Sequence, residues 1–179
     1  RMHALGVRGV RFNVLNSGGT HLASLERLAA RVAPLGWHVQ LHVAGEALPE
    51  LRSRIAGLPA PAVIDHMGNH EPAAGLQQPG FQALLALLRE GAWVKLSAPY
   101  RRTVEPAPFA PVAAFARALA EAAPQRCVWG SDWPHPAVND RPMPNDGDLL
   151  DALADWAPDP ETQRAILVEN PARLYGFPS

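Results

Sequence analysis

Polar residues close or directly follow short apolar segments of the sequence at six positions, namely Arg11, Asn13, His42, His66, Ser97 and Asp132. Histidine side chains bind cations such as zinc, and a carboxylate beside them can take a proton from an attacking water. Arginine guanidinium groups match the geometry of a substrate carboxylate. If the apolar segments are parallel strands, these residues meet at one face of the molecule and form a candidate site for activating water.

The elements that would position these residues follow from the apolar pattern. The sequence predicts strands over 7–14, 37–43, 61–67, 92–97 and 126–131. Between the strands, apolar residues recur at three- and four-residue spacing, which is typical of helices with one buried face. Two further helices are predicted in the tail, at about 146–157 and 159–168, and long loops are predicted over 68–78 and 98–107.

Strands that alternate with helices form a parallel sheet through right-handed crossovers. Two architectures fit this order, an open doubly wound sheet and a (β/α) barrel. Neither a G-x-G-x-x-G motif nor a G-x-x-x-x-G-K phosphate loop follows any predicted strand. Within 37–43, the side chains of His38, Gln40 and His42 share one face, and such a polar stripe favours a barrel interior. The expected fold is therefore an α/β, TIM-like (β/α)8 barrel.

Five strands are fewer than the eight or so that close a barrel of this kind. Ala4 and Leu5 also have the pattern of a helix end that Gly6 terminates. We therefore expect residues 1–179 to form a single, partial barrel domain, with three further strands contributed by chain that precedes it.

Six segments carry a resemblance to a known family, in this order along the chain: GVRGVRFN, GWHVQLH, VIDHMG, WVKLSAPYR, WGSDWPHP and NPARLYGF. The succession resembles the amidohydrolase-related family of metal-dependent hydrolases, and within it the 2-pyrone-4,6-dicarboxylate lactonase-like branch. The resemblance implies a (β/α)8 barrel of which this chain supplies about strands four to eight and the C-terminal helices. The His-x-His motif of the family's first strand is absent from this sequence.

The resemblance also implies roles for three residues at the strand ends. His66 and Asp132 match the family's histidine on the sixth strand and its aspartate on the eighth, and both are expected to be catalytic, with Asp132 as general base and acid. His42 occupies a fifth-strand position that many members use for a metal ligand. A divalent metal such as zinc, dispensable in this branch, would bind His42, His66 and Asp132. On residue type alone, His66 could instead be a satisfied core histidine and Asp132 a helix cap.

The substrate-binding residues that the resemblance implies are Arg11 and Arg101, as a pair that holds a carboxylate, and Tyr100, which would orient the carbonyl or leaving oxygen. The alternatives are an internal salt bridge for Arg11, a solvated loop charge for Arg101 and packing for Tyr100. Lys95 is the single lysine of the chain. We expect it to be structural and paired inside the barrel with a carboxylate such as Asp65.

The substrate class is suggested by two departures from the branch. Arginines that the branch carries shortly after VRFN and after IDHMG are replaced here by Ser17 and Asn69. With fewer cations, the site is predicted to take a mono-anionic or neutral lactone rather than a substrate with several carboxylates. His135, in the segment DWPHP, is expected near the mouth of the site, and its role stays open.

Composition excludes several other classes of protein. Lys and Arg total 16 and Asp and Glu total 17, so the net charge of −1 argues against a nucleic-acid partner. The sequence has no run of about eighteen apolar residues, which argues against a membrane span. A single cysteine, Cys127, excludes a disulfide framework and is compatible with a reducing compartment, so a cytoplasmic location is expected.

Three functions remain open at the level of sequence. The first is a hydrolase that opens a lactone by attack of an activated water, with a small carboxylate or lactone as its partner. The second is a metal-dependent, non-oxidative decarboxylase of the same superfamily. The third is an inactive barrel fragment that binds small anions or a complementing chain. Their products separate the first two, because lactone hydrolysis releases a proton and decarboxylation releases carbon dioxide.

Overall fold

A computed structural model describes residues 1–15, 19, 21–136, 138 and 141–177 of the chain. Its centre is one parallel sheet with the strand order β1-β2-β3-β4-β5. The strands are β1 (Gly9–Asn13), β2 (His38–His42), β3 (Ala62–Ile64), β4 (Trp93–Ser97) and β5 (Cys127–Gly130). All five predicted strands are therefore present; four are shorter at both ends than the sequence pattern predicts, and β4 is shorter only at its start.

The strand order distinguishes between the two architectures that the sequence allows. In a doubly wound sheet the order reverses at a switch point, whereas consecutive strands of a (β/α)8 barrel are neighbours throughout. Here every described strand pairs with the next one along the chain, with Arg11 opposite Gln40 and Lys95 opposite Val128. The five strands are thus arranged like consecutive strands of a barrel.

Helices follow each strand. They are α1 (Leu25–Val32), α2 (Leu48–Ala56), α3 (Pro79–Arg89), α4 (Ala110–Ala122), α5 (Asp146–Trp156), α6 (Pro160–Arg164) and α7 (Asn170–Tyr175). Of these, α1 to α5 pack against one face of the sheet. In α1 the buried residues Leu25, Ala29 and Val32 repeat every three or four positions, and they join one large apolar core with alternate strand residues such as Leu41 and Leu96. This core fixes the sheet against the helix layer.

The other face of the sheet carries polar side chains and a small apolar cluster. Val63, Trp93 and Val128 pack there against Leu174 of α7. The sequence predicts a helix over 159–168, whereas the chain forms α6, a π-helical segment over Ala165–Glu169, and then α7, so the helical conformation continues from Pro160 to Tyr175. Pro171 lies in the first turn of α7, where proline is tolerated.

The loops and the N-terminus are more ordered than their composition suggests. Short 3₁₀ turns interrupt the predicted long loops at Pro72–Ala74 and Pro99–Arg101. At the N-terminus, a 3₁₀ turn over His3–Leu5 ends at Gly6, whose φ of 91° is the left-handed conformation that glycine adopts readily. In the described part of the chain, none of the helices has the length and apolar character needed to span a bilayer.

Candidate active site

The carboxyl ends of the strands bring the predicted polar residues together at one edge of the sheet. Asn13, His42 and Ser97 are the last residues of β1, β2 and β4. His66 lies two residues beyond the end of β3, and Asp132 two residues beyond the end of β5. Parallel neighbouring strands place their carboxyl ends side by side, which is why residues distant in sequence meet here.

Two of these residues have an unusual backbone conformation. His66 has a φ of 50° and Asp132 a φ of 64°, both in the left-handed region that non-glycine residues rarely adopt. In each case the strand has just ended, so the chain turns sharply at the residue in question. Such strain clusters at functional sites, where it is offset by the surrounding structure.

Asp132 is held firmly at one of its two oxygens. The Tyr100 hydroxyl donates a hydrogen bond to Oδ2 at 2.6 Å, and Arg101 approaches the same oxygen with Nε at 2.9 Å and Nη2 at 2.8 Å. Burial and the bond to Asp132 raise the pKa of Tyr100, so this hydroxyl stays protonated and remains a donor. The carboxylate is therefore oriented with Oδ1 directed away from Tyr100 and Arg101.

His66 faces that second oxygen. Its Nδ1 lies 2.9 Å from the Ser97 hydroxyl oxygen, and its Nε2 lies 3.7 Å from Asp132 Oδ1. The second distance is too long for a direct hydrogen bond, and Nε2 has no hydrogen-bond partner within the described residues. Burial lowers the pKa of His66 to about 4, although the charges of Asp65 and Asp132 oppose the shift. The imidazole is therefore neutral at pH 7.

His42 completes the group. Its Nδ1 lies 3.0 Å from Asn13 Oδ1, and its ring stands nearly perpendicular to that of His66, with centroids 5.0 Å apart. Burial lowers the pKa of His42 as well, with the charge of Asp65 acting in the opposite direction. The structure thus gathers five of the residues implied by the resemblance into one cluster: His42, His66, Tyr100, Arg101 and Asp132.

Arg11 has a different partner from the one that a substrate-binding pair would require. Its Nε and Nη2 bind Asp65 Oδ2 at 2.9 and 2.8 Å, which is the internal salt bridge given above as the alternative. Gln40 donates to the same oxygen at 3.0 Å, and Lys95 Nζ lies 3.3 Å from Oδ1, so the predicted pairing of Lys95 with Asp65 is confirmed. Burial acts to raise the pKa of Asp65, but Lys95, His66 and Arg11 outweigh it and the pKa is lowered.

The remaining candidates lie around this cluster. His135 is buried, with Nε2 3.0 Å from Asp146 Oδ1 and its ring 5.5 Å from that of Tyr100. Asn69 is also buried and donates to the Val43 carbonyl at 3.1 Å, so it fixes the loop after β3. Ser17 lies outside the described residues. The sequence does not predict the contact between Ser97 and His66, or the binding of Tyr100 and Arg101 to Asp132, although all of these residues follow or end neighbouring strands.

The described residues do not by themselves fit a complete metal site. Among them no group of three or more His, Cys, Asp or Glu side chains is arranged to hold a metal ion. Tyr100 and Arg101 engage one oxygen of Asp132, and His42 Nδ1 is engaged with Asn13. Zinc sites in proteins are almost always built from at least three protein ligands. The ligand set His42, His66 and Asp132 therefore stays a prediction from the resemblance.

Comparisons with known proteins identify the class to which this fold and site belong. The sequence profile of the amidohydrolase family matches residues 1–177, and the chain belongs to this family. A 4-sulfomuconolactone hydrolase from Rhizobium radiobacter is 44% identical over 177 residues, which cover 96% of this chain and 59% of the relative. A 2-pyrone-4,6-dicarboxylate hydrolase from Comamonas testosteroni is 40% identical over 187 residues, with coverages of 98% and 61%. The chain thus spans about three fifths of the length of these relatives.

Solved structures agree with this assignment. The apo crystal structure of a protein from Agrobacterium tumefaciens superimposes with a TM-score of 0.88 at 32% identity, covering 98% of this chain and 62% of that one. An amidohydrolase from Burkholderia multivorans with bound zinc has a TM-score of 0.74 at 21% identity, covering 96% of this chain and 65% of that one, and it supports the fold alone. The architecture is therefore the amidohydrolase barrel, of which this chain forms a part.

Proposed function

We propose that this chain carries the water-activating half of a lactone hydrolase, within one barrel domain that includes residues 1–179. The observation that carries the proposal is the orientation of Asp132, whose Oδ2 is clamped by Tyr100 and Arg101 while Oδ1 faces His66 Nε2 at 3.7 Å. Relatives that share 40% or more of its sequence are named as hydrolases of lactones, which supports the same reaction class.

The mechanism follows from the free oxygen of Asp132. A water hydrogen-bonded to Oδ1 attacks the lactone carbonyl carbon while Oδ1 accepts its proton. The carbonyl oxygen gains negative charge in the tetrahedral intermediate, and a donor within reach stabilises it. When the bond from carbon to the ring oxygen breaks, Asp132 returns the proton to that oxygen and the ring opens. General acid–base catalysis of this kind contributes a factor of about 10²–10⁴ to the rate.

The substrate in this proposal is a mono-anionic or neutral lactone. Asn69 is turned into the loop and cannot supply a cation, in line with the loss of an arginine at that place. Arg101 and Tyr100 lie next to the carboxylate that activates water and are the candidates for contact with substrate oxygens. Arg11, with 42% of its side chain exposed despite the bond to Asp65, stays the candidate for a substrate carboxylate.

Metal dependence is a separate hypothesis. The described residues do not close a metal site, so no step above uses one. Metal analysis of the complete purified polypeptide decides the question. If the wild type binds one equivalent of zinc and a variant with His42 and His66 both replaced by alanine does not, the predicted ligands are supported. An active enzyme that contains no metal would contradict them.

The substitution Asp132→Asn in the complete polypeptide tests the proposed function. Asparagine keeps an oxygen for Tyr100 and Arg101 but cannot take a proton at neutral pH. We expect kcat for lactone opening to fall by about 10²–10⁴, which corresponds to about 2.7–5.4 kcal/mol of transition-state stabilisation. Asp151→Asn, which changes an exposed aspartate of α5, is the matched control and should leave kcat unchanged.

Proton release with ring opening is the expected readout for the wild-type enzyme. Release of carbon dioxide from an aromatic acid would support the decarboxylase instead. An Asp132→Asn enzyme that folds normally and keeps most of its turnover would refute the role of Asp132, and absence of any turnover in the complete wild-type polypeptide would favour the inactive fragment.

A further inference from the structure

The Ser97 hydroxyl is the single hydrogen-bond partner of the His66 ring among the described residues. Ser97 Oγ lies 2.9 Å from Nδ1, and both side chains are buried. The ring otherwise meets His42 edge to face and Asp132 at a distance beyond a hydrogen bond. Because an imidazole has nearly the same shape after a half-turn about its Cβ–Cγ bond, ring packing distinguishes the two orientations poorly. The hydrogen bond to the Ser97 hydroxyl is the contact that distinguishes the two ring orientations.

A hydroxyl can bond to Nδ1 in two ways, either by donating to a bare nitrogen or by accepting from an N–H. Accepting would leave Nε2 with its lone pair directed at Asp132 Oδ1, 3.7 Å away. A lone pair facing a carboxylate in a buried setting is electrostatically unfavourable. If Ser97 donates, Nδ1 is bare and the imidazole proton is on Nε2. This N–H has a partial positive charge and points at the negatively charged carboxylate of Asp132.

We propose that Ser97 is a positioning residue that donates its hydroxyl proton to Nδ1 of His66 and thereby holds this histidine as the Nε2–H tautomer facing Asp132. The inference deepens the proposed hydrolase function and rests on it for its catalytic meaning. In that reaction the Nε2–H is the donor that stabilises the developing negative charge on the carbonyl oxygen, while Asp132 Oδ1 takes the proton of the water. His66 and Asp132 thus act as donor and acceptor across one gap. This tautomer leaves Nε2 without a lone pair for a metal ion, so zinc bound at His66 would overturn the proposal.

The surrounding structure supports a specific role for a hydroxyl at this position. Ser97 is the last residue of β4 and is paired in register with Gly130 of β5. The residue opposite Ser97 thus carries no side chain of its own. Ser97→Thr is the conservative variant, because it keeps the hydroxyl that alanine removes.

Nitrogen NMR of protein labelled with ¹⁵N-histidine tests the tautomer directly, without reference to activity. At pH 7 we expect the wild-type His66 Nδ1 to resonate as a bare nitrogen and Nε2 as a protonated one, with the signals assigned by their loss in His66→Gln. Ser97→Ala should shift both signals toward a mixture of tautomers, and Ser97→Thr should keep the wild-type pattern. A protonated Nδ1 in the wild type, or an unchanged pattern in Ser97→Ala, overturns the proposal.

Kinetics of the complete polypeptide provide the second readout. Loss of a residue that orients a site histidine typically reduces activity by about 10–100-fold. We expect this loss in kcat for Ser97→Ala, with KM little changed and with the rate restored in Ser97→Thr. Equal kcat in wild type and Ser97→Ala would refute the role of Ser97 in catalysis. A complete polypeptide without lactonase activity that nevertheless shows the expected NMR pattern would refute the hydrolase and leave the positioning role of Ser97 standing.

Discussion

A buried histidine outside the catalytic cluster, His70, is expected to contribute to the acid sensitivity of the fold. His70 packs against the rings of Phe81 and Phe115, and neither of its ring nitrogens has a hydrogen-bond partner in the described structure. Burial lowers its pKa from 6.5 to about 4, and the nearby charge of Arg102 adds to this shift, whereas the charge of Glu46 acts against it. The folded protein therefore resists protonating this ring.

The effect on stability follows from the linkage between proton binding and folding. His70 takes up a proton near pH 6.5 when the chain is unfolded but only near pH 4 when it is folded, so acid stabilises the unfolded state. The contribution of neutral His70 to the free energy of unfolding is complete above pH 6.5 and is lost as the pH falls toward 4. Between pH 7.5 and pH 5 the loss from this residue is about 2 kcal/mol, at 1.36 kcal/mol per pH unit of differential protonation.

Urea denaturation at the two pH values measures this loss, and His70→Leu isolates it. The variant removes the titrating ring, so its free energy of unfolding should fall by about 2 kcal/mol less than that of the wild type between pH 7.5 and pH 5. Leu87→Ala, which removes a buried side chain of α3, is the control and should destabilise the protein equally at both pH values. Equal pH dependence in His70→Leu and wild type would refute the reasoning.

Three further substitutions test the charges around the site. Arg11→Lys should raise KM by about 10-fold or more if the guanidinium holds a substrate carboxylate, because an ammonium cannot reproduce its paired hydrogen bonds; unchanged kinetics would make Arg11 a structural partner of Asp65. Lys95→Met leaves fully buried Asp65 with one cation fewer and should lower the free energy of unfolding by about 3 kcal/mol in denaturant titrations; a loss below about 1 kcal/mol would contradict a stabilising pair. Tyr100→Phe should reduce kcat by about 10-fold in steady-state assays, since Asp132 then depends on a single partner; a full rate would show that the hydroxyl is dispensable.

The fold was predictable because its determinants are local. Apolar runs bounded by polar residues predict the five strands, and the polar stripe of 37–43 predicts which face of β2 lines the interior. α7 was missed because the sequence around Pro171 resembles a helix end as much as a helix start. What favours a helix here is the packing of Leu174 against Val63 and Val128 of the sheet. A local sequence pattern cannot predict a contact between residues so far apart in the chain.

Which polar side chains meet at the strand ends was predictable, whereas the hydrogen-bond partner that each one takes was much less so. Strand ends identify which residues meet, since a parallel sheet collects them at one edge. Which partner each one takes depends on turns that follow the strands, such as Ala98, with a φ of 54°, ahead of Tyr100 and Arg101. The turn directs both side chains to Asp132, whereas Arg11, on a straight strand, reaches Asp65 instead.

The left-handed backbone at His66 and Asp132 has a consequence for how this protein can evolve. A non-glycine residue in that conformation costs about 1–2 kcal/mol relative to glycine. At Ala98, selection for thermal stability could remove the strain by a change to glycine without loss of a reactive group. At His66 and Asp132 the same change would delete the imidazole or the carboxylate. Random libraries selected for heat resistance alone would therefore drift toward stable, inactive proteins, and only a joint selection would retain both residues.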